Sequence, residues 1–273
     1  MTIAVIWQED GLQWCAADTR LVADPDDRPM TEIASKIYAI PVVVGVLDEE
    51  LKPRQPHYWT QYGFVYAGAA LPATMTAVTA SMFLQKLARP GDRTNPPTFE
   101  QIAEFMHRLA KRFMEDRRRF GSDGTFSAAF FGWCPHARTF KIAHIDGRTD
   151  AGGFRVELSY PPPPQAEGAP WLVLGSAKKK FESTLTAYQK TEERISKRIP
   201  RRVIDKMVAE ESDPTVGGAT SIGAAHQYGF ELFFAAEPIT TGQPAARRTF
   251  NGLDLDTEVG QVGQYVVAAT GLA

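Results

Sequence analysis

The hydrophobic pattern opens on two short β-rich runs, Thr2 to Trp7 (TIAVIW) and Leu12 to Ala17 (LQWCAA), on either side of Gln8-Glu9-Asp10-Gly11. Asp-Gly between apolar runs predicts a hairpin, so the start of the chain is expected to be a strand end rather than a frayed tail. Residues 23–34 are polar and rich in Asp and Pro, and read as a loop. Lys36 to Leu47 predicts one or two strands broken at Pro41, residues 48–58 a charged excursion, and Tyr62 to Ala70 a further strand. Two helices are expected next. One begins near Pro72, a residue suited to a first helical turn, and runs to about Ala88, with Pro90-Gly91 as its stop. The second is announced by Thr98 and Gln101, the two halves of a capping box. Ile102, Phe105, Met106, Leu109 and Phe113 then recur at helical spacing, to about Arg119.

Strands are predicted at Phe126–Trp133, Phe140–Ile145, Phe154–Leu158 and Trp171–Leu174, with Asp146-Gly147 as a turn and Pro161–Pro164 as a rigid loop. Gly175-Ser176 should open a third helix reaching about Ser196, and Pro200 a fourth reaching about Glu211. Residues 216–223 and 228–235, and one or two segments of 248–269, complete the strands. Blocks of strands separated by pairs of helices predict a layered α+β architecture. No repeat or long linker divides the 273 residues, so a single domain spanning 1–273 is expected.

Composition narrows the function classes. Thirty Lys+Arg against 32 Asp+Glu leave a net charge of -2, which disfavours a dedicated nucleic-acid binder. The basic end of the second helix (Arg117-Arg118-Arg119) complements a helix dipole. No apolar run reaches the ~20 residues of a membrane helix, and the N-terminus lacks the pattern of a secretory signal, so the expected setting is cytoplasmic. Cys15 and Cys134 lie in apolar runs and read as small buried hydrophobes. The five histidines show no metal-ligand spacing, and neither a metal nor another cofactor is expected.

Thr2 supplies candidate chemistry. A threonine hydroxyl needs a base to become a nucleophile. An N-terminal threonine carries one, because its α-amine titrates near ~7.7–8.0. Removal of Met1 would expose that amine. The hairpin brings Asp18, at the end of the second run, close to Thr2. Lys36 opens the next strand. A lysine beside the hydroxyl lowers the cost of an alkoxide, and a carboxylate keeps the lysine charged and oriented. Plainer readings of the same residues are a turn-capping Asp18 and an exposed strand lysine at Lys36.

The set resembles the proteasome β-subunit family and its bacterial relatives, which open with a threonine strand, a turn and an apolar strand ending Ala-x-Asp. The spacing of Thr2 and Asp18 matches without a gap. Lys36 in its Lys-Ile context, Tyr66-Ala67-Gly68-Ala69-Ala70, Leu174-Gly175-Ser176 and Asp213-Pro-Thr-Val-Gly217-Gly218 follow in order. The resemblance covers about residues 2–235. It implies a four-layer αββα sandwich of the N-terminal-nucleophile hydrolase type, with an insertion near 48–60 and an extension after about 236.

The implied activity is cleavage of peptide or other amide bonds through an acyl-enzyme, by a homo-oligomeric ring or spiral. Gly68 would then offer its N–H to the oxyanion, and Ser176 and Asp213 would support the nucleophile. Leu21 and Tyr66 would line a pocket for small or medium apolar side chains. Gly68, Gly217 and Gly218 are equally readable as turn or packing glycines, and Ser176 as a helix cap. Val216 stands where many active members carry serine, which keeps a second reading open: a catalytically silent proteasome-like scaffold or binding subunit.

Overall fold

A computed structural model describes residues 2–23, 28–47, 53–89, 95–121, 123–191, 197–236, 248–267 and 270–272. In chain order its elements are β1 (Ala4–Glu9), β2 (Leu12–Asp18), β3 (Leu21–Ala23), β4 (Arg28–Thr31), β5 (Ile37–Leu47), β6 (Pro53–Gly68), α1 (Ala70–Leu84), β7 (Leu87–Arg89) and α2 (Phe99–Arg119). There follow β8 (Phe126–Cys134), β9 (Thr139–Asp150), β10 (Gly153–Ser159), β11 (Pro170–Leu174), α3 (Lys178–Thr191), α4 (Ile199–Ala209), β12 (Thr220–His226) and β13 (Gly229–Ala236). Short strands from Arg248 to Leu272 end the chain. The fold is a strand-rich mixture of α and β, and its residues divide between two compact units.

The first unit holds 1–37, 164–224 and 232–273. Its sheet runs β11-β1-β2-β12-β13 and continues into the short C-terminal strands. β1 and β2 form the predicted hairpin, with Ala4 opposite Ala17 and Trp7 opposite Trp14. The turn is the Asp10-Gly11 pair, both at positive φ. Side chains alternate across a strand, so Ile3, Val5, Trp7 and, from β2, Trp14 and Ala16 share one face. There they meet Phe181 and Leu185 of α3 and Val203, Ile204 and Met207 of α4. Ala4, Ile6, Cys15 and Ala17, on the other face, are buried as well.

The second unit holds 38–163 and 225–231. Its sheet has the order β10-β9-β8-β6-β5-β7. The capping box of α2 forms as expected, with Gln101 N donating to Thr98 Oγ1 and Thr98 N to Gln101 Oε1. The buried face of α2 (Phe99, Ile102, Ala103, Met106, Ala110, Met114) packs with α1 on one side of the sheet. Tyr62, Phe99 and Phe130 make a ring cluster with centroids 4.9 to 5.8 Å apart.

Several expectations are corrected. The predicted 23–34 loop contains β4, paired with β3. Pro41 does not break β5. The neighbour β7 pairs only with Val44–Val46, so at Pro41 that side of β5 is an edge, where a missing N–H is tolerated. The charged excursion is largely strand, since β6 starts at Pro53; residues 48–52 lie outside the described set. So does the Pro90-Gly91 stop, although α1 ends at Leu84 and β7 follows.

Asp146-Gly147 sits inside β9, not in a turn. A Cβ at Gly147 would lie 2.3 Å from Met114 Sδ, so this glycine makes room for α2. The third helix begins at Lys178, two residues after Ser176. Both cysteines are free and buried.

Candidate active site

The hairpin places Thr2 beside the end of β2. Ile3 N donates to Asp18 Oδ1 (3.1 Å) and Asp18 N to the Ile3 carbonyl (3.3 Å). Lys36 precedes β5, and its Nζ reaches Thr2 Oγ1 at 2.5 Å and Asp18 Oδ1 at 2.8 Å. Thr2, Asp18 and Lys36 are all buried. The three residues read from the sequence as a proton-handling set are thus one hydrogen-bonded chain, hydroxyl to ammonium to carboxylate.

Asp18 is fully used as an acceptor. Its second oxygen takes N–H groups from Arg20 and Gly217, each at 3.3 Å. Four donors match the acceptor capacity of a carboxylate and hold its plane fixed. Burial pushes the Asp18 carboxyl up, against the pull of Lys36 and of the Ile3 and Gly217 N–H groups. Burial likewise lowers Lys36, with Asp18 opposing. An ammonium whose proton is held less firmly than usual, directly against a hydroxyl, is suited to proton exchange and to stabilising an alkoxide.

Arg20 was missed by the sequence reading, and it organises the surroundings. Its Nε bonds both Glu32 oxygens (3.0 and 3.1 Å). Nη1 donates to the Pro214 and Val216 carbonyls (3.2 and 3.3 Å), and Nη2 to Glu211 (3.2 Å). It therefore fastens the 211–217 loop to the strand that carries Asp18. The glycine pair in that loop has a steric reason. A Cβ at Gly217 would lie 2.2 Å from Arg20 Cζ, and one at Gly218, at φ +75°, would lie 2.3 Å from the Glu32 carbonyl. The Gly217-Gly218 pair was the signal that a side chain crosses there, but nothing in the sequence says whose.

The remaining candidates are placed as follows. Gly175, at φ +106°, lies against the Thr2 backbone: a Cβ there would be 1.8 Å from the Thr2 carbonyl oxygen. Ser176 is exposed, and no hydrogen bond joins it to Thr2. Asp213 accepts from Thr215 N (2.9 Å) and Oγ1 (2.5 Å), a turn that leads the chain into Val216 and Gly217. Val216 is buried in the apolar cluster under α3 and α4. Leu21 is half-buried in β3.

Tyr66 and Gly68 belong to the second unit. Tyr66 is buried in its core and stacks on Tyr38 (centroids 6.4 Å). Gly68 ends β6 at φ +109°, where a Cβ would press on Phe126 and the Thr125 carbonyl. Among the described residues no His/Cys/Asp/Glu group is arranged to hold a metal, and no helix is long and apolar enough to cross a membrane.

The sequence matches no family model and no curated protein. Among solved structures, the Anbu (Gly-1) mutant from Hyphomicrobium sp. strain MC1 superposes at a TM-score of 0.54 with 15% identity, over 85% of this chain and 84% of that one. At that identity the likeness is one of fold. The chain shares its strand-rich mixed architecture with that Anbu structure.

Proposed function

We propose that the chain is a threonine-type N-terminal-nucleophile hydrolase acting on peptide or other amide bonds within a proteasome-like oligomer. The observation that carries this reading is the buried contact of Thr2 Oγ1 with Lys36 Nζ, itself bound to Asp18. Once the residue before Thr2 is removed, the freed α-amine takes the hydroxyl proton, with Lys36 stabilising the alkoxide, and Oγ1 attacks the carbonyl carbon. The α-ammonium then gives that proton to the amide nitrogen as the C–N bond breaks and the amine leaves. Water, its proton taken by the α-amine, cleaves the resulting ester, releases the acid and restores the hydroxyl. In this reading the Gly68 N–H receives the oxyanion, Ser176 and Asp213 support the nucleophile, and Leu21 and Tyr66 shape the specificity pocket.

The four-layer αββα sandwich belongs to the same proposal, with both units working as one proteasome-like domain that carries the 48–60 insertion and the extension after 236. It is supported by burial on both faces of the first unit's sheet and by the fold likeness to Anbu.

Val216 favours a second reading, a silent scaffold subunit, because an apolar side chain packed under α3 and α4 replaces a supporting hydroxyl. An electrophile that acylates N-terminal threonines separates the two. Intact mass should show loss of the residue before Thr2 and one adduct per chain, absent in Thr2→Ala. A chain that keeps the preceding residue in its own cells and takes no adduct is the scaffold.

A further inference from the structure

A cleft of about 590 Å³ in the first unit has none of Thr2, Asp18 and Lys36 in its lining. One wall is the start of α4 with the residues just before it, carrying Arg198, Arg201, Arg202 and Asp205. The other is made of small residues, Ala219 just before β12 and Ala235 and Ala236 at the end of β13. The volume falls in the ordinary range for small-ligand sites.

The positive charge on the α4 wall exceeds the negative charge of the described residues that line the cleft. Cations at a helix start oppose the dipole, and the first turn of α4 holds no acidic residue. Lys197, at the rim, is taken by Asp10 at 2.8 Å. The three arginines are left with one lining carboxylate, Asp205, 3.4 Å from Arg201 Nε. Arg201 is only 13% exposed, yet its Nε has no hydrogen-bond partner among the described residues. Burial lowers its pKa, Asp205 resists, and Arg198 and Arg202 push it further down.

Arg202 donates Nε to the Lys197 carbonyl (3.3 Å), and Arg198 lies over the Trp14 ring (5.5 Å). Glu9, the other nearby carboxylate, is occupied by Arg198 N and Trp7 Nε1. Among the described residues, three guanidinium groups against one carboxylate leave an excess of two positive charges in the cleft lining. That is the arrangement that a ligand with at least two negative charges relieves, through the paired N–H forks that suit phosphate oxygens.

The geometry points to a binding site for an oligophosphate in this cleft, separate from Thr2 and independent of whether Thr2 is active. The shared chemistry is a chain of phosphates. A free inorganic oligophosphate and a nucleoside triphosphate both present it, the latter with a base and sugar to lay against the small-residue wall.

The test is calorimetric titration of the full-length protein with tripolyphosphate and, separately, with ATP, at fixed ionic strength. Saturable binding of about one ligand per chain is expected. It should weaken at least tenfold in the Arg198→Gln/Arg202→Gln double variant and stay unchanged in Lys179→Gln, an exposed lysine of α3. Both arginines are at least partly exposed, so the variant is expected to fold, and its thermal midpoint without ligand verifies that. Tighter binding of ATP than of tripolyphosphate assigns a nucleotide, and the reverse assigns a free oligophosphate. No saturable binding of either probe at millimolar concentration, or binding untouched by the double variant, overturns the inference.

Discussion

The two units bury different things. The second closes on rings: Tyr62, Phe99 and Phe130 in mutual contact, with α1 and α2 over them. The first buries an ammonium and a carboxylate in one hydrogen-bonded chain with Thr2, and most of the Arg20 side chain as well. Apolar burial is forgiving of direction and stabilises in proportion to area. Buried charge stabilises little in net terms, and breaking one partner of the pair is costly. A fold that tolerates the second kind of interior around one hydroxyl has directed stability toward placing that hydroxyl, and the contrast can be tested from both sides.

The largest expected effect separates chemistry from folding at Thr2. Thr2→Ala should lower peptide turnover by about 10³-fold or more and leave the denaturation midpoint nearly unchanged. Lys36→Ala should lose turnover equally and also cost about 3–5 kcal/mol of stability, because it strands the Asp18 carboxylate. Turnover at the parental level in either variant removes the assignment. In the aromatic unit the pattern inverts: Phe130→Ala should cost about 3–5 kcal/mol in urea unfolding, while turnover per folded chain persists.

Gly175→Ala falls between these. It forces a Cβ onto the Thr2 carbonyl in a backbone region that costs about 1–3 kcal/mol for other residues, so stability and turnover should fall together. A variant as active and stable as the parent would mean that the Gly175 approach does not constrain Thr2.

The pH profile sharpens the same contrast. The useful form of Lys36 is the ammonium, present at low pH and lost as pH rises through its pKa. Burial lowers that pKa, so the alkaline limb of kcat/KM should come below the ordinary ~10.4 of lysine, at about tenfold per unit. The acid limb should follow the Thr2 amine near ~7.7–8.0. An alkaline limb at or above the ordinary lysine value would show that Lys36 is not titrating in the site. The smallest effect is expected in the second unit: Thr98→Ala removes the α2 capping box and should cost about 1 kcal/mol, with turnover unchanged.

Legibility in the sequence followed the range of the interactions. Local signals were readable: the Asp10-Gly11 hairpin, the Thr98 capping box and the α2 stripe. Thr2, Asp18 and Lys36 were readable because one hairpin and one strand start bring them together. Arg20 was not, because its partners Glu211, Pro214 and Val216 lie some 190 residues away and its value depends on contacts no local pattern encodes. Gly147 misled for a related reason. Asp-Gly carries a turn propensity, and packing against Met114 outweighed it.

The Asp18 carboxylate has a consequence for biosynthesis. It receives one donor from Ile3, close by along the chain, and another from Gly217, 199 residues further on. At ordinary translation speeds of ~5–20 residues per second, the ribosome needs roughly 10–40 s to travel between Asp18 and its last partner. During that interval Asp18 lacks the donor from Gly217, and its four-donor arrangement is complete only once residue 217 has been made.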